Sequence, residues 1–336
     1  MDIEPPKLDE SIINIDGSLD EIEWSKAISR SGFTSYLPVD GRPAEDDTEI
    51  RIWYSPTALY IGIVAQEIHG EVRSTLADRD NLENDDYLIL ILDTYDDKRS
   101  AFAFAVNPLG QQGDGTIMDH TSVGLTFRLD SNPDYIFSSK GVLTEEGFTV
   151  EIKIPFKSLR YQRADTQNWG FNVLRHVQHS NYRSTLFNTQ LGVASFLAQT
   201  GKLINISGIK RDRVFEINPE IRGSMARPAD YKNFDSETTD PVGFNVRYGW
   251  SSNVGINATV NPDFSQIEAD VAQINYDPRR ALFFPEKRPF FLDGIERFQT
   301  PTRLIYTRRI FNPVAAGKIA GKFGANTIGF ISAADN

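Results

Sequence analysis

Short apolar runs recur along this chain, each closed by a cluster of Asp, Gly, Pro or Asn, and that spacing leaves little room for helices. Ile50-Arg51-Ile52-Trp53-Tyr54, Leu59-Tyr60-Ile61-Gly62-Ile63 and Leu88-Ile89-Leu90-Ile91-Leu92 are typical. Runs of this length between turn residues read as β-strands. The pattern predicts strands near 48–54, 58–66, 87–93, 100–107, 123–129, 135–140, 148–154, 169–177, 184–189 and 196–206. Closely spaced short strands favour a sandwich over any α/β fold. The expected class is therefore all-β, opening with a jelly-roll-like β-sandwich over 13–212 after an extension of residues 1–12.

From about Arg213 the texture changes. Phe244 to Trp250 and Val254 to Val260 alternate strictly, one face apolar and the other holding Asn, Arg, Gly and Thr. A soluble sheet would turn the apolar face to a core, whereas a membrane barrel turns it to lipid. Periodicity alone does not choose between the two. About six such strands occur before Asn336, fewer than a closed barrel needs. Residues 213–336 are thus expected to be the start of an outer-membrane β-barrel, cut short.

Charge separates the halves as well. Residues 1–100 hold 23 Asp and Glu against 9 Lys and Arg, although the whole chain carries only −11. That acidity excludes nucleic acid as a partner, because phosphate binding needs clustered cations. Carboxylates at Asp93, Asp96 and Asp97, with Asp85 and Asp86 nearby, are candidate oxygen ligands for calcium, although their spacing matches no EF-hand loop. A solvated acidic turn is the plainer reading of them. The chain has no cysteine, so disulfides and thiolate metal sites are excluded. It shows neither a secretory leader nor an apolar run long enough for a spanning helix. Any membrane contact would be made by strands.

Several local signals carry their own expectations. Ser18 and Glu21 have capping-box spacing ahead of a short helical turn that points Trp24 and Ala27 inward. Gly110-Gln111-Gln112-Gly113-Asp114-Gly115 lacks the Lys-Ser/Thr of a phosphate loop and reads as a turn. Arg51 and Trp53 share a strand face opposite Ile50, Ile52 and Tyr54. Trp169 reads as core. Glu286, Lys287 and Arg288, with Arg279, Arg280, Arg308 and Arg309, suggest internal ion pairs, and Phe283, Phe284, Phe290 and Phe291 suggest wedges fixing a long connection. No nucleophile elbow or cysteine nucleophile is present, so no catalytic residue is assigned.

Asp16-Gly17-Ser18-Leu19-Asp20-Glu21-Ile22-Glu23-Trp24, with Ala58-Leu59-Tyr60-Ile61-Gly62-Ile63, resembles the opening of family 9 carbohydrate-binding modules. Leu92 to Phe102 with Val106-Asn107-Pro108-Leu109-Gly110 is similar to a subgroup attached to bacterial outer-membrane proteins. Asn261-Pro262-Asp263-Phe264-Ser265-Gln266, Phe283 to Gly294 and Tyr306-Thr307-Arg308-Arg309-Ile310 resemble the uncharacterised domain, read as a membrane barrel, that follows the module there.

The resemblance implies a sugar held between two aromatic rings, the first matching Trp53 beside Arg51 and the second Phe196. The arginine it places before Val106-Asn107 is Ala105 here. It further implies a bacterial outer-membrane address, a saccharide ligand and lipid contact through the barrel, with no cofactor unless calcium. The leading expectation is a non-catalytic carbohydrate-binding-like module anchored to a barrel. The alternatives are a structural or gating domain of a transport barrel, an accessory part of a glycoside hydrolase, and a haem module.

Overall fold

The computed structural model describes residues 2–9, 13–69, 72–76, 78–118, 129–131, 133–162, 164–193, 195–210, 215–221, 242–251, 253–262, 286, 288–298, 304–310, 313–323 and 326–335. The expected strand near 123–129, the rings Phe283 and Phe284, and Arg279, Arg280 and Lys287 lie almost wholly outside these residues. The chain divides into two compact units, Met1–Asp212 and Arg213–Asn336.

In chain order the first unit holds β1 (Asp2–Ile3), α1 (Ile22–Lys26), β2 (Ile28–Arg30), β3 (Thr34–Leu37), β4 (Thr48–Tyr54), β5 (Ala58–Gln66) and β6 (Tyr87–Asp93). There follow β7 (Ser100–Val106), β8 (Gln112–Met118), β9 (Leu129–Asp130), β10 (Ser138–Thr144), β11 (Gly147–Pro155), β12 (Thr166–Val177), β13 (Tyr182–Thr185) and β14 (Gly201–Ser207). A large sheet runs β1-β14-β12-β6-β7-β8-β9, with β13 pairing both β12 and β3, and a smaller one runs β10-β11-β5-β4-β2. Among the described residues these strands pair antiparallel except β1 with β14, which joins Asp2 to Lys202 and Ile3 to Leu203 in parallel.

Strand alternation divides the apolar residues into three layers. Ile50, Ile52, Leu59, Ile61, Leu88, Leu90, Phe104, Val150, Ile152, Trp169 and Phe171 are among those filling the space between the sheets. A second cluster, including Ile89, Ile91, Ala103, Leu174, Tyr36 and Phe196, covers the outer face of the large sheet. A third, built on Trp24, Trp53, Ala58 and Tyr60, covers the outer face of the small one. Trp169 is fully buried in the central layer.

Two local readings are corrected. The glycine-rich stretch is a turn only at its start, where Gly110 has φ of 78°. From Gln112 onward it is strand β8, whose glycines let the loop carrying Asp80 and Leu82 lie close against Gly113. The capping box does not form: α1 is capped by Glu21 without a side-chain bond, and Ser18 donates its backbone N–H to Asp16 Oδ1 at 2.9 Å.

The second unit is an antiparallel meander of β15 (Phe215–Ile221), β16 (Val242–Ser251), β17 (Val254–Val260), β18 (Pro313–Phe323) and β19 (Asn326–Asp335). Among the described residues it is an open five-stranded sheet. Helix α2 (Pro289–Leu292) lies between β17 and β18 in sequence.

Candidate functional site

Trp53 lies on the predicted face of β4, but that face is closed. Its ring stacks on Tyr60 with centroids 3.9 Å apart and meets the edge of Trp24 at 6.1 Å, and the residue is fully buried. The cover is the segment preceding β2, with Leu8, Ile13, Ile15, Leu19 and Ala27 packed against the rings. Buried Glu151 on β11 fixes this cover: Oε1 accepts from Trp24 Nε1, and Oε2 accepts from the backbone of Asp16 and Gly17, all at 2.8 Å. Gly62 leaves room for it, since a Cβ there would come within 2.7 Å of Leu19. The Asp16-to-Trp24 motif is thus a structural clasp. Arg51 emerges beside Trp53 and pairs with Glu49 at 2.7 Å.

Phe196 is also buried, edge-on to Tyr36 at 5.9 Å in the layer outside the large sheet. Trp53 and Phe196 therefore cover opposite outer faces of the sandwich. The structure does not bring them together, and neither ring offers an open face to a sugar. The expected two-ring clamp is corrected on that ground.

The Asp93, Asp96 and Asp97 set closes a turn. Asp93 is buried and accepts backbone N–H groups from Tyr95, Asp97 and Lys98. Burial pushes its carboxyl above the ordinary range. Asp96 is held by Lys98 and Lys202, each at 2.5 Å, and Asp97 accepts from the Arg99 backbone at 3.1 Å. These carboxylates are spent locally, so the set does not have the shape of a calcium site. Asp85 receives Thr75 and Asn107, and Asp86 receives the backbones of Arg73 and Gln178.

Among the described residues, the acidic groups that do converge are Asp80, Asp114 and Asp134, whose nearest oxygens lie within 4.8 Å of one another. Arg79 already bonds Asp114 and lies 3.6 Å from Asp134. It supplies the positive charge that a cation would bring. Burial raises Asp114 to about 6 despite the hydrogen bonds from Arg79 and the Tyr135 backbone.

A concavity with mixed polar chemistry lies where β3, β12 and β13 meet the loop 38–46. Its volume is about 110 Å³, and its walls include Ser35, Arg42, Glu45, Asp46, Arg175, Tyr182, Arg183 and Ser184. Arg175 is its buried back wall, only 2% exposed. It donates to Asp47 O at 3.1 Å, Thr48 Oγ1 at 2.9 Å and Gln66 O at 2.5 Å, and lies 3.7 Å from Glu67. Burial lowers its pKa, while Asp46, Glu67, Asp86 and Asp47 oppose that shift. Arg175 thereby ties the large sheet to β4 and β5 of the small one. Tyr182 and Arg183 come from β13, and Arg42 from the loop that β3 feeds. With hydroxyls, guanidinium groups and carboxylates around one hollow, the cleft suits a ligand fragment rich in oxygen. Sequence reasoning missed it. The available signal was Arg175 itself, a lone charge inside the apolar run Phe171–Val177.

The second unit places its charges under cover. Lys318 is 2% exposed and its Nζ donates to the carbonyls of Phe290, Phe291 and Asp293. Asn257 Nδ2 reaches Asp293 Oδ2 at 2.6 Å. Glu286 and Arg288 form a buried pair at 2.7 Å, and Arg288 also donates to Thr307 O and Ile310 O. Phe290 and Phe291 pack with Ala316. The internal pairing and wedging expected of these residues is present.

The opposite face is apolar and open. Phe215, Tyr248, Ile256, Ile319 and Phe330 stand in register across all five strands, with Phe215 62% and Phe330 58% exposed.

A family model described as "Domain of unknown function (DUF5916)" matches residues 224–320, wholly within the second unit. No curated protein matches the chain. Among solved structures, a family 9 carbohydrate-binding module from Caldicellulosiruptor kristjanssonii in complex with cellotriose is 15% identical. The alignment covers 59% of this chain and 92% of that one, with a TM-score of 0.42. The same organism's module in complex with glucose gives 15% identity, 61% and 95% coverage, and a TM-score of 0.43. A candidate carbohydrate-binding protein from Bacteroides uniformis gives 11% identity, 60% and 99% coverage, and 0.45.

Proposed function

We propose that the chain is a non-catalytic recognition protein of the bacterial outer membrane, in which the second unit sits in lipid and the sandwich takes a saccharide in the β3–β13 cleft. The observation that carries this reading is the reversed polarity of the second unit. An antiparallel sheet whose apolar face is open, while Lys318, Arg288 and Glu286 are buried on the other side, is costly in water and favourable in hydrocarbon. The saccharide half is supported by the hydroxyl and charged groups around the cleft. The cellotriose and glucose bound by the Caldicellulosiruptor modules make these sugars the first ligands to test.

The test is flotation of the full chain with vesicles of phosphatidylcholine and phosphatidylglycerol, paired with calorimetry against a saccharide panel. The chain should float, and Ile319→Lys with Phe330→Lys should remain in the dense fraction, since a cation on a lipid-facing strand costs about 2–4 kcal/mol at mid-depth. A wild-type chain that stays dense overturns the anchor. A second reading, a structural or gating module without sugar affinity, is favoured by the closure of Trp53 and by the placement of Phe196 on the other outer face. Absence of binding to every sugar by a folded chain selects it.

A further inference from the structure

We infer that His69 and His179 form a two-histidine site for a divalent transition-metal ion of the imidazole-seeking kind, such as zinc or copper, and that the ion staples the two sheets of the sandwich at one end.

The chain has four histidines, and these two meet although they are far apart in sequence. Their ring centroids lie 5.2 Å apart with the planes at 77°. Two imidazoles on one ion, each with its nitrogen about 2.0–2.1 Å from the metal, place their ring centres roughly 4.5–5.5 Å apart. Edge-to-face packing alone falls in the same range, so the nitrogens decide between the two. His179 Nδ1 is enclosed and has no hydrogen-bond partner among the described residues. A polar atom shut away from water in this way is destabilising, and a metal bond removes that cost. His69 is exposed, which leaves the ion a way in.

Carboxylates shape both of the turns that carry the rings. After β5, the Ile68 N–H donates to Asp46 Oδ1 at 3.1 Å and the His69 N–H to Glu67 Oε1 at 3.2 Å. After β12, the Gln178 N–H donates to Asp86 Oδ1 at 2.6 Å. Asp46, Glu67 and Asp86 are all buried. With Asp47 they act on the one guanidinium of Arg175, which lies 3.7 Å from Glu67. The carboxylates thus outnumber the cation they share, and that surplus favours a second positive charge at the rings.

β5 belongs to the small sheet and β12 to the large one. An ion held by both turns would therefore close the gap that Arg175 already spans through Thr48 Oγ1 and Gln66 O. Among the described residues no carboxylate joins the two rings in a three-ligand set. Water would fill the remaining positions, and imidazole as the sole protein ligand suits zinc, copper or nickel rather than calcium.

The test is calorimetry on the untagged full chain in detergent micelles, stripped of metal with a chelator and titrated with zinc, copper(II) or calcium. The thermal midpoint is read in parallel. Zinc and copper should each bind and raise the midpoint of the sandwich, and calcium should do neither. His69→Gln, at an exposed position, should weaken zinc binding about tenfold or more and erase the midpoint shift, and His179→Gln should do the same. The copper electron paramagnetic resonance spectrum should show two coupled imidazole nitrogens in the wild type and one in each variant. Asp134→Asn, in the acidic cluster with Asp80 and Asp114, should change nothing. Zinc binding that survives both histidine substitutions would overturn the site, and binding lost in Asp134→Asn instead would move the ion to the acidic cluster. Zinc that binds through the histidines without raising the midpoint would overturn the staple.

Discussion

The two units of this chain use the same strand alternation and put opposite things inside. In the sandwich, apolar side chains fill the space between the sheets, and isolated buried charges act as ties: Arg175 joins one sheet to the other, and Glu151 holds the cover over Trp53. In the second unit the apolar row from Phe215 to Phe330 is open, and the buried face holds Lys318, Asn257 and the Glu286–Arg288 pair. Alternation fixes which residues share a face. What that face meets is decided by segments far away in sequence.

The sharpest way to break this comparison is Trp53→Ala. A ring enclosed by Tyr60 and Trp24 should cost about 3–5 kcal/mol when removed, read as a lower unfolding midpoint of the sandwich. A variant of unchanged stability that loses sugar binding would restore Trp53 as a ligand platform. Next in size is Lys318→Met, which keeps the stem but leaves the carbonyls of Phe290 and Asp293 without their donor. About 1–3 kcal/mol should be lost, with faster amide exchange over 289–298; exchange at the wild-type rate would show that the tie is dispensable.

The smallest effect concerns Asp114. Its carboxyl is raised from 3.8 to about 6, so its contribution to stability is present below the ordinary value and lost as pH rises through about 6. Asp114→Asn should flatten the difference in thermal midpoint between pH 4 and 7 relative to the wild type. Parallel profiles for the two proteins would assign the slope to Asp80, Asp93 or Glu151, which burial shifts in the same direction.

The strands legible in the sequence are those whose own side chains make the core. β4, β5 and β6 have the predicted bounds because apolar residues run through them without interruption. β8 escaped because Gln112, Gly113, Asp114 and Gly115 carry turn residues; its contacts are with the Asp80–Leu82 loop, which period-2 reasoning does not see. The candidate site divides along the same line. The shared face of Arg51 and Trp53 followed from parity alone, but the cover from residues 13–27 that buries Trp53 did not. The cleft joins Arg42, from the loop after β3, to Arg175 and Ser184 of the β12–β13 hairpin, and no local pattern links those two segments.

The parallel pairing of Asp2 and Ile3 with Lys202 and Leu203 bears on the order in which the sandwich can be made. The first strand belongs beside the last, and the Asp16–Gly17 clasp waits for Glu151. A chain emerging from its N terminus therefore carries its clasp unmatched until residue 151 has appeared and its opening strand unmatched until residue 203. Closure of so long a loop is slow compared with local pairing. The sandwich therefore cannot seal until nearly all of its own sequence is present, and its first and last strands are completed together.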